Sequence, residues 1–250
     1  MKKSVIAALT IGTITLTAGT TPVFYASFDE NLNGSGTNGS VVKGVAYSRK
    51  TVPVLVGGVS GKALTVGTSA DKKDLYNALY PADKILNPAQ GTVSFWCKAG
   101  NWDTSDKDYH LFFRARGKDA DLILYKVPNP MFSFIIGPAR TVNGKKIWTE
   151  IRGKVTNWKR DEWHFIAASW GNGKVILYID GKAVNSKAIA NLPGSFDRFG
   201  AGGLYPAAWR NQGKSAIDEL KIFDRPLTPG EISAEYASGA KLFKTQGGKL

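Results

Sequence analysis

In residues 161–186, DEWHFIAASWGNGKVILYIDGKAVNS, side chains alternate between two faces. Trp163, Phe165, Ala167 and Ser169 share one face; His164, Ile166, Ala168 and Trp170 share the other. That period of two predicts a strand. Gly171-Asn172-Gly173 then turns the chain. Residues 175–179 are β-branched and apolar, and Asp180-Gly181 reads as a two-residue hairpin turn, where positive φ is cheap. Similar short runs predict strands at 23–28, 41–46, 63–66, 91–98, 109–116, 122–125, 131–136, 147–155, 183–186 and 216–223. Many short strands with turn signals between them predict an all-β sandwich or barrel. Helix signals are few. Residues 75–79 fit a single turn. Residues 229–238 follow Thr228, an N-cap residue, with Pro229 next and Glu231 three positions on, which predicts one short C-terminal helix.

The 161–186 ribbon resembles the laminin-G-like domain of the concanavalin A-like lectin/glucanase superfamily, with its W-H-x-x-A…Y-x-D-G-x phrase. Five further pieces follow the same order: Phe28-Asp29-Glu30, Gly61-Lys62-Ala63-Leu64, GTVSFWCK at 91–98, IDELKIFDRPL at 217–227, and the closing L-T-x-x-E-I…Y-x-x-G at 227–239. Together they span roughly residues 24–239. The resemblance implies an all-β, two-sheet antiparallel jelly-roll sandwich. It does not choose a function, because this fold hosts lectins, adhesion modules, lyases and hydrolases.

The chain has 250 residues, enough for one large β domain with a sizeable core. Lys2 and Lys3 precede a short apolar run at 5–16, and small residues follow at 17–19, so residues 1–19 read as a secretory signal peptide. The run is short of the roughly 20 residues that a membrane span needs. Residues 20–250 form a single domain, because the Gly/Asn-rich stretch 31–40 lies inside the resembling region and reads as a loop. The expected location is secreted or at the cell surface. A lone cysteine, Cys97, excludes an internal disulfide; it shares a strand face with Val93 and Phe95 and reads as a small buried hydrophobe. The net charge of +13 points, for an exported protein, to acidic polysaccharide, acidic cell envelope or plain solubility, and not to nucleic acid.

Domains of the resembling family often hold a calcium ion between the N-terminal loop and the closing strand. The matching positions are Asp29 and Asp218, with carbonyls from loop 31–39. That loop carries Asn31, Asn33 and Asn38 but no aspartate, which leaves fewer charges for a hard cation. The alternative is that Asp29 and Glu219 cap turns or pair with lysines. Two histidines and one cysteine, far apart, do not make a zinc site. Hydrolases of this fold use a Glu-x-Asp-x-x-Glu strand. It is absent, and neighbours Asp218 and Glu219 are expected on opposite faces, which disfavours retaining glycoside hydrolysis. A polysaccharide lyase has a possible row in DYHLFFRAR, where Tyr109 or His110 would be the base and Arg114, sharing a face with His110 and Phe112, would neutralise a uronate. The same residues also suit an ordinary strand with a polar edge. His164 reads as a framework residue.

The stretch 140–160, RTVNGKKIWTEIRGKVTNWKR, carries seven cations against one acid, Glu150. Trp148, Glu150, Arg152 and Lys154 should face outward, and Ile147, Thr149, Ile151, Gly153 and Val155 inward. An aromatic ring beside Lys145, Lys146 and Arg152 suits an acidic sugar: the ring stacks on the sugar's apolar face while cations meet its carboxylate or sulfate. A solvated basic face is the plainer alternative. Trp102 and Trp209, in loops, are further sugar platforms or edge plugs. The expected function is a non-catalytic, lectin-like, carbohydrate-binding domain for acidic extracellular polysaccharide, with structural calcium. The alternatives are a polysaccharide lyase and a structural or adhesion component with possible self-association.

Overall fold

The computed structural model describes residues 20–47, 52–68, 75–139, 141–143, 145–189, 191–204 and 214–245. The proposed signal peptide and Trp209 lie outside the described residues. Two antiparallel sheets of eleven and six strands face each other, and one C-terminal helix packs outside the larger sheet. The family-like jelly-roll sandwich is therefore the observed architecture.

The smaller sheet runs, edge to edge, Thr149–Lys154, Met131–Gly137, Ala120–Val127, His110–Gly117, Arg198–Ala201 and Ala78–Pro81. The larger runs Lys182–Ala188, Lys174–Ile179, Trp163–Gly171, Gly91–Ala99, Ser215–Phe223, Phe24–Ala26, Gly34–Gly36 and Val41–Val42; Leu55–Gly57, Lys62–Thr68 and Leu75–Tyr76 attach alongside. The first and last strands meet within this sheet, where Tyr25 pairs with Lys221.

Alternation along Trp163–Gly171 decides the packing on both sides. Ile166, Ala168 and Trp170 enter the core between the sheets, and Trp163, Phe165 and Ala167 enter a second cluster beneath the helix. Cys97 joins Val93 and Phe95 in the inner core, as its strand parity predicts, and burial pushes its thiol pKa up. Asp180 and Gly181 both take positive φ at the hairpin turn. His164 is a framework residue: its ring stacks on Trp158 at 4.2 Å, and Nδ1 lies 3.0 Å from the Asp180 carboxylate.

Three expectations need correction. Residues 75–79 are extended, as parts of Leu75–Tyr76 and Ala78–Pro81, because pairing with neighbouring strands outweighs local helix propensity. The stretch 31–40 is not all loop; Gly34–Gly36 pairs with Phe24–Ala26, and a Cβ at Gly34 would meet the Phe24 ring at 2.3 Å. The helix, Pro229–Thr245, is longer than expected: Trp96 stacks on Tyr236 at 5.5 Å, and buried Ala240 extends the covered face another turn.

Candidate functional site

Bulges decide which side chains reach which surface. In His110–Gly117, alternation breaks where Leu124 pairs with Phe113 and Tyr125 with Leu111. Phe112 and Phe113 both enter the core in consequence. His110 and Phe112 point inward, whereas Leu111 and Arg114 point outward. The expected His110–Arg114 row does not exist. Arg114 instead holds Asp121 through Nε–Oδ1 at 2.9 Å and Nη2–Oδ2 at 2.7 Å.

His110 is fully buried beneath the 101–109 loop, its ring stacked on Trp102 at 3.9 Å. Nε2 lies 3.0 Å from Asp106 Oδ1, and Nδ1 has no partner among the described residues. Burial pulls its pKa down to about 4. Lys126, also fully buried, donates from Nζ to the Asp106 carbonyl and, at 3.5 Å, to that of Asp108. Trp102 is no surface platform: it is 2 % exposed, and its Nε1 donates to Ser215 Oγ at 2.9 Å. Its apolar ring fills the sandwich end that the loop closes. Together these groups fasten the loop whose last residue, Tyr109, reaches the outer surface.

That surface is the outer face of the smaller sheet. Ile123, Tyr125, Val127 and Ile135 form its floor, with half-buried Tyr109, Leu111, Met131 and Trp148 around them. Register sets the order: Arg152 lies beside Ser133, Ser133 beside Tyr125, and Tyr125 beside Leu111. Tyr109, Tyr125, Trp148, Glu150 and Arg152 line a cavity of about 400 Å³, together with Val127 and Ile135. Strand Thr149–Lys154 alternates as expected: Thr149, Ile151 and Gly153 are buried, and Arg152 and Lys154 are exposed. Trp148 immediately precedes it, its backbone close against Gly137, where φ is +146° and an added Cβ would sit 2.8 Å from the Trp148 Cα.

The charges here are partly spent on one another. Glu150 Oε1 accepts from Arg152 Nε at 2.7 Å and from Ser133 Oγ at 2.8 Å, and the guanidinium Nη2 is also 2.7 Å away. Lys145 is exposed on a short strand that pairs Val142 with it; the side chain of Lys146 lies outside the described residues. The structure thus brings Trp148 and Arg152 together with Tyr109, and takes Trp102 away. Tyr125, Ile135 and Ser133 had gone unnoticed. Their signal was parity: Leu122 and Leu124 face the core, so Tyr125 must face out.

The expected metal positions meet a different partner. Asp218 is fully buried; Oδ2 accepts the N–H groups of Val59 at 2.7 Å and Ser60 at 3.1 Å, and Oδ1 that of Glu219 at 2.8 Å. Asp29 Oδ1 accepts the Lys62 N–H at 2.9 Å. Both carboxylates therefore clamp the turn between Leu55–Gly57 and Lys62–Thr68. The buried Asp218 oxygens, already turned to three N–H donors, do not fit a calcium shell of six to eight oxygens, whereas Asp29 accepts a single N–H at Oδ1. Among the described residues no three His, Cys, Asp or Glu gather as metal ligands. Burial drives the Asp218 pKa up to about 8 against those donors. A bulge between Asp218 and Lys221, with Glu219 at φ +52°, also breaks the alternation expected to part Asp218 from Glu219. Glu219 accepts a 2.7 Å hydrogen bond from the Tyr25 hydroxyl.

A family model described as "Concanavalin A-like lectin/glucanases superfamily", Laminin_G_3, matches residues 71–233, more than half of the chain. The chain belongs to this family. No curated protein matches it in sequence. Among solved structures, the receptor binding domain of botulinum neurotoxin mosaic serotype C/D superposes with a TM-score of 0.65 at 16% identity, covering 87% of this chain and 50% of that one. The botulinum neurotoxin serotype G binding domain gives 0.66 at 13% identity, covering 87% and 51%. The serotype D ligand binding domain, solved in complex with N-acetylneuraminic acid, gives 0.64 at 14% identity, covering 87% and 50%. The chain thus spans about half the length of these neighbours, and at such identities the likeness speaks to fold.

Proposed function

We propose that this laminin-G-type member of the superfamily is a non-catalytic carbohydrate-binding module, exported from the cytoplasm, that holds an acidic polysaccharide on the outer face of its smaller sheet. The observation that carries the reading is the cavity walled by Tyr109, Tyr125 and Trp148 with Arg152 at its edge. Aromatic walls over an aliphatic floor suit the apolar face of a sugar ring, and a guanidinium suits its carboxylate. Exposed Lys145 and Lys154 add positive charge nearby. One structural neighbour, the serotype D domain, was solved with an acidic sugar, which supports the same ligand class here. Export rests on the sequence of residues 1–19.

Affinity electrophoresis in gels containing alginate, pectate, carrageenan or heparin tests the reading. The wild type should be retarded in at least one. Trp148→Ala should weaken binding at every salt concentration, by about 1–3 kcal/mol for a stacked ring. Lys145→Ala combined with Lys146→Ala should weaken it mainly at low salt, because exposed charge is screened over about 8 Å at physiological ionic strength. Migration unchanged in every acidic gel overturns the proposal.

A further inference from the structure

A second cavity, about 530 Å³ and more open, lies where the two sheets' edges meet. It is lined by Trp148, Glu150, Ile151 and Arg152 from one edge and by Asn185, Ser186 and Lys187 from the other. The edges are joined there: Asn185 Nδ2 donates to the Arg152 carbonyl at 2.8 Å, and a Cβ on Gly153 would sit 2.6 Å from Val184. Trp148, Glu150 and Arg152 line both cavities. We propose that the two cavities form one continuous track, occupied by an internal stretch of an acidic polysaccharide chain and not by a single terminal sugar.

The inference rests on the carbohydrate reading and adds the ligand's length and polarity. The two halves differ chemically. The first has an apolar floor and tyrosine walls, suited to ring stacking. The second is polar, with an amide, a hydroxyl and the Lys187 ammonium. Arg152 is paired with Glu150 on one side and remains partly exposed at the edge shared by the two cavities. Lys187, on the fully exposed strand Lys182–Ala188, makes no ion pair among the described residues and gives the second cavity its own cation for a ligand carboxylate. Tyr109 and Tyr125 line only the first cavity and Lys187 only the second, so a single sugar ring seated on the tyrosines does not occupy both. A chain that passes over the shared residues uses both halves, and two linked contacts raise affinity beyond either alone.

Calorimetric titration with oligogalacturonide and alginate di-, tetra- and hexasaccharides reads this directly. The hexasaccharide should bind at least about tenfold tighter than the disaccharide. Lys187→Ala should weaken the hexasaccharide by about fivefold at low salt and leave the disaccharide unchanged. Ser186→Trp, which fills the second cavity from an exposed strand, should bring the hexasaccharide down to the disaccharide's affinity. Tyr109→Ala should weaken both. Equal affinity at every length, or a hexasaccharide indifferent to both Ser186→Trp and Lys187→Ala, overturns the track while leaving the carbohydrate reading intact. Failure of every oligosaccharide and every polymer gel overturns both.

Discussion

His110→Phe is expected to remove an acid-sensitive step from the stability of this protein. The ring sits flat on Trp102 with no solvent contact, and its Nε2 meets Asp106. In the neutral ring the proton belongs on Nε2, where the carboxylate accepts it. Nδ1 then keeps a bare lone pair, and protonating it buries an N–H with no acceptor beside the Lys126 ammonium. That is why burial holds the pKa at about 4, against an ordinary 6.5. A histidine whose pKa is depressed on folding contributes stability fully above its unfolded pKa and loses it as pH falls towards the folded value. The drop from 6.5 to about 4, at about 1.4 kcal/mol per pH unit, is worth roughly 3 kcal/mol, of which about 2.5 is lost by pH 4.5. Phenylalanine keeps the stacking and cannot be charged; Asp106 Oδ1 still accepts the Asp108 N–H. Asp218 works in the opposite direction over this range, since a raised carboxyl pKa favours the folded state as pH falls, so the wild-type curve alone is not diagnostic. The difference between wild type and His110→Phe is. Urea unfolding of both at pH 7.5 and 4.5 should show that difference changing by about 2–3 kcal/mol in the variant's favour at the lower pH. A constant difference would refute the assignment of His110 as a buried neutral ring.

Asp218→Ala orphans the N–H groups of Val59, Ser60 and Glu219 and should cost about 2–4 kcal/mol in urea unfolding. The wild-type melting temperature should be the same in chelator and in millimolar calcium, and a clear rise with calcium would return Asp29 and Asp218 to the metal reading. Gly239→Ala places a Cβ 2.4 Å from Trp96 Nε1 and should cost about 1–3 kcal/mol while shifting tryptophan fluorescence, because the helix must lift from the sheet; an unchanged midpoint would mean that the helix is loosely docked.

Much of the fold was written in local pattern. The alternation of 163–170 assigned each side chain to its side of the larger sheet, and the capping box at Thr228 is present: its N–H donates to Glu231 Oε2 at 2.7 Å, and the Glu231 N–H returns to Thr228 Oγ1 at 3.3 Å. The short strands Leu55–Gly57 and Arg198–Ala201 were missed: the first is three residues long and forms only by pairing with the adjacent Lys62–Thr68, and the second depends on partners distant in the chain.

The candidate site was half legible for a related reason. Parity along Thr149–Lys154 held because that strand is regular, so Trp148 and Arg152 fell on the expected face. Parity along His110–Gly117 failed because a bulge inserts one residue, and no composition rule marks it. The slip sends two consecutive phenylalanines into the core and parts His110 from Arg114. The base-and-arginine row thereby disappears, and Tyr109, first weighed as a proton acceptor, becomes a wall of the aromatic cavity. Lys126 carried an overlooked signal: it is the one cation in DLILYKV, on the inward parity of Leu122 and Leu124. A lysine there must find acceptors or destabilise the core, and the Asp106 and Asp108 carbonyls supply them. The polar end of the core and the loop that ends at Tyr109 are thus one device. The same contacts that satisfy Lys126 and His110 hold residues 101–109 in place, and with them the ring of Tyr109.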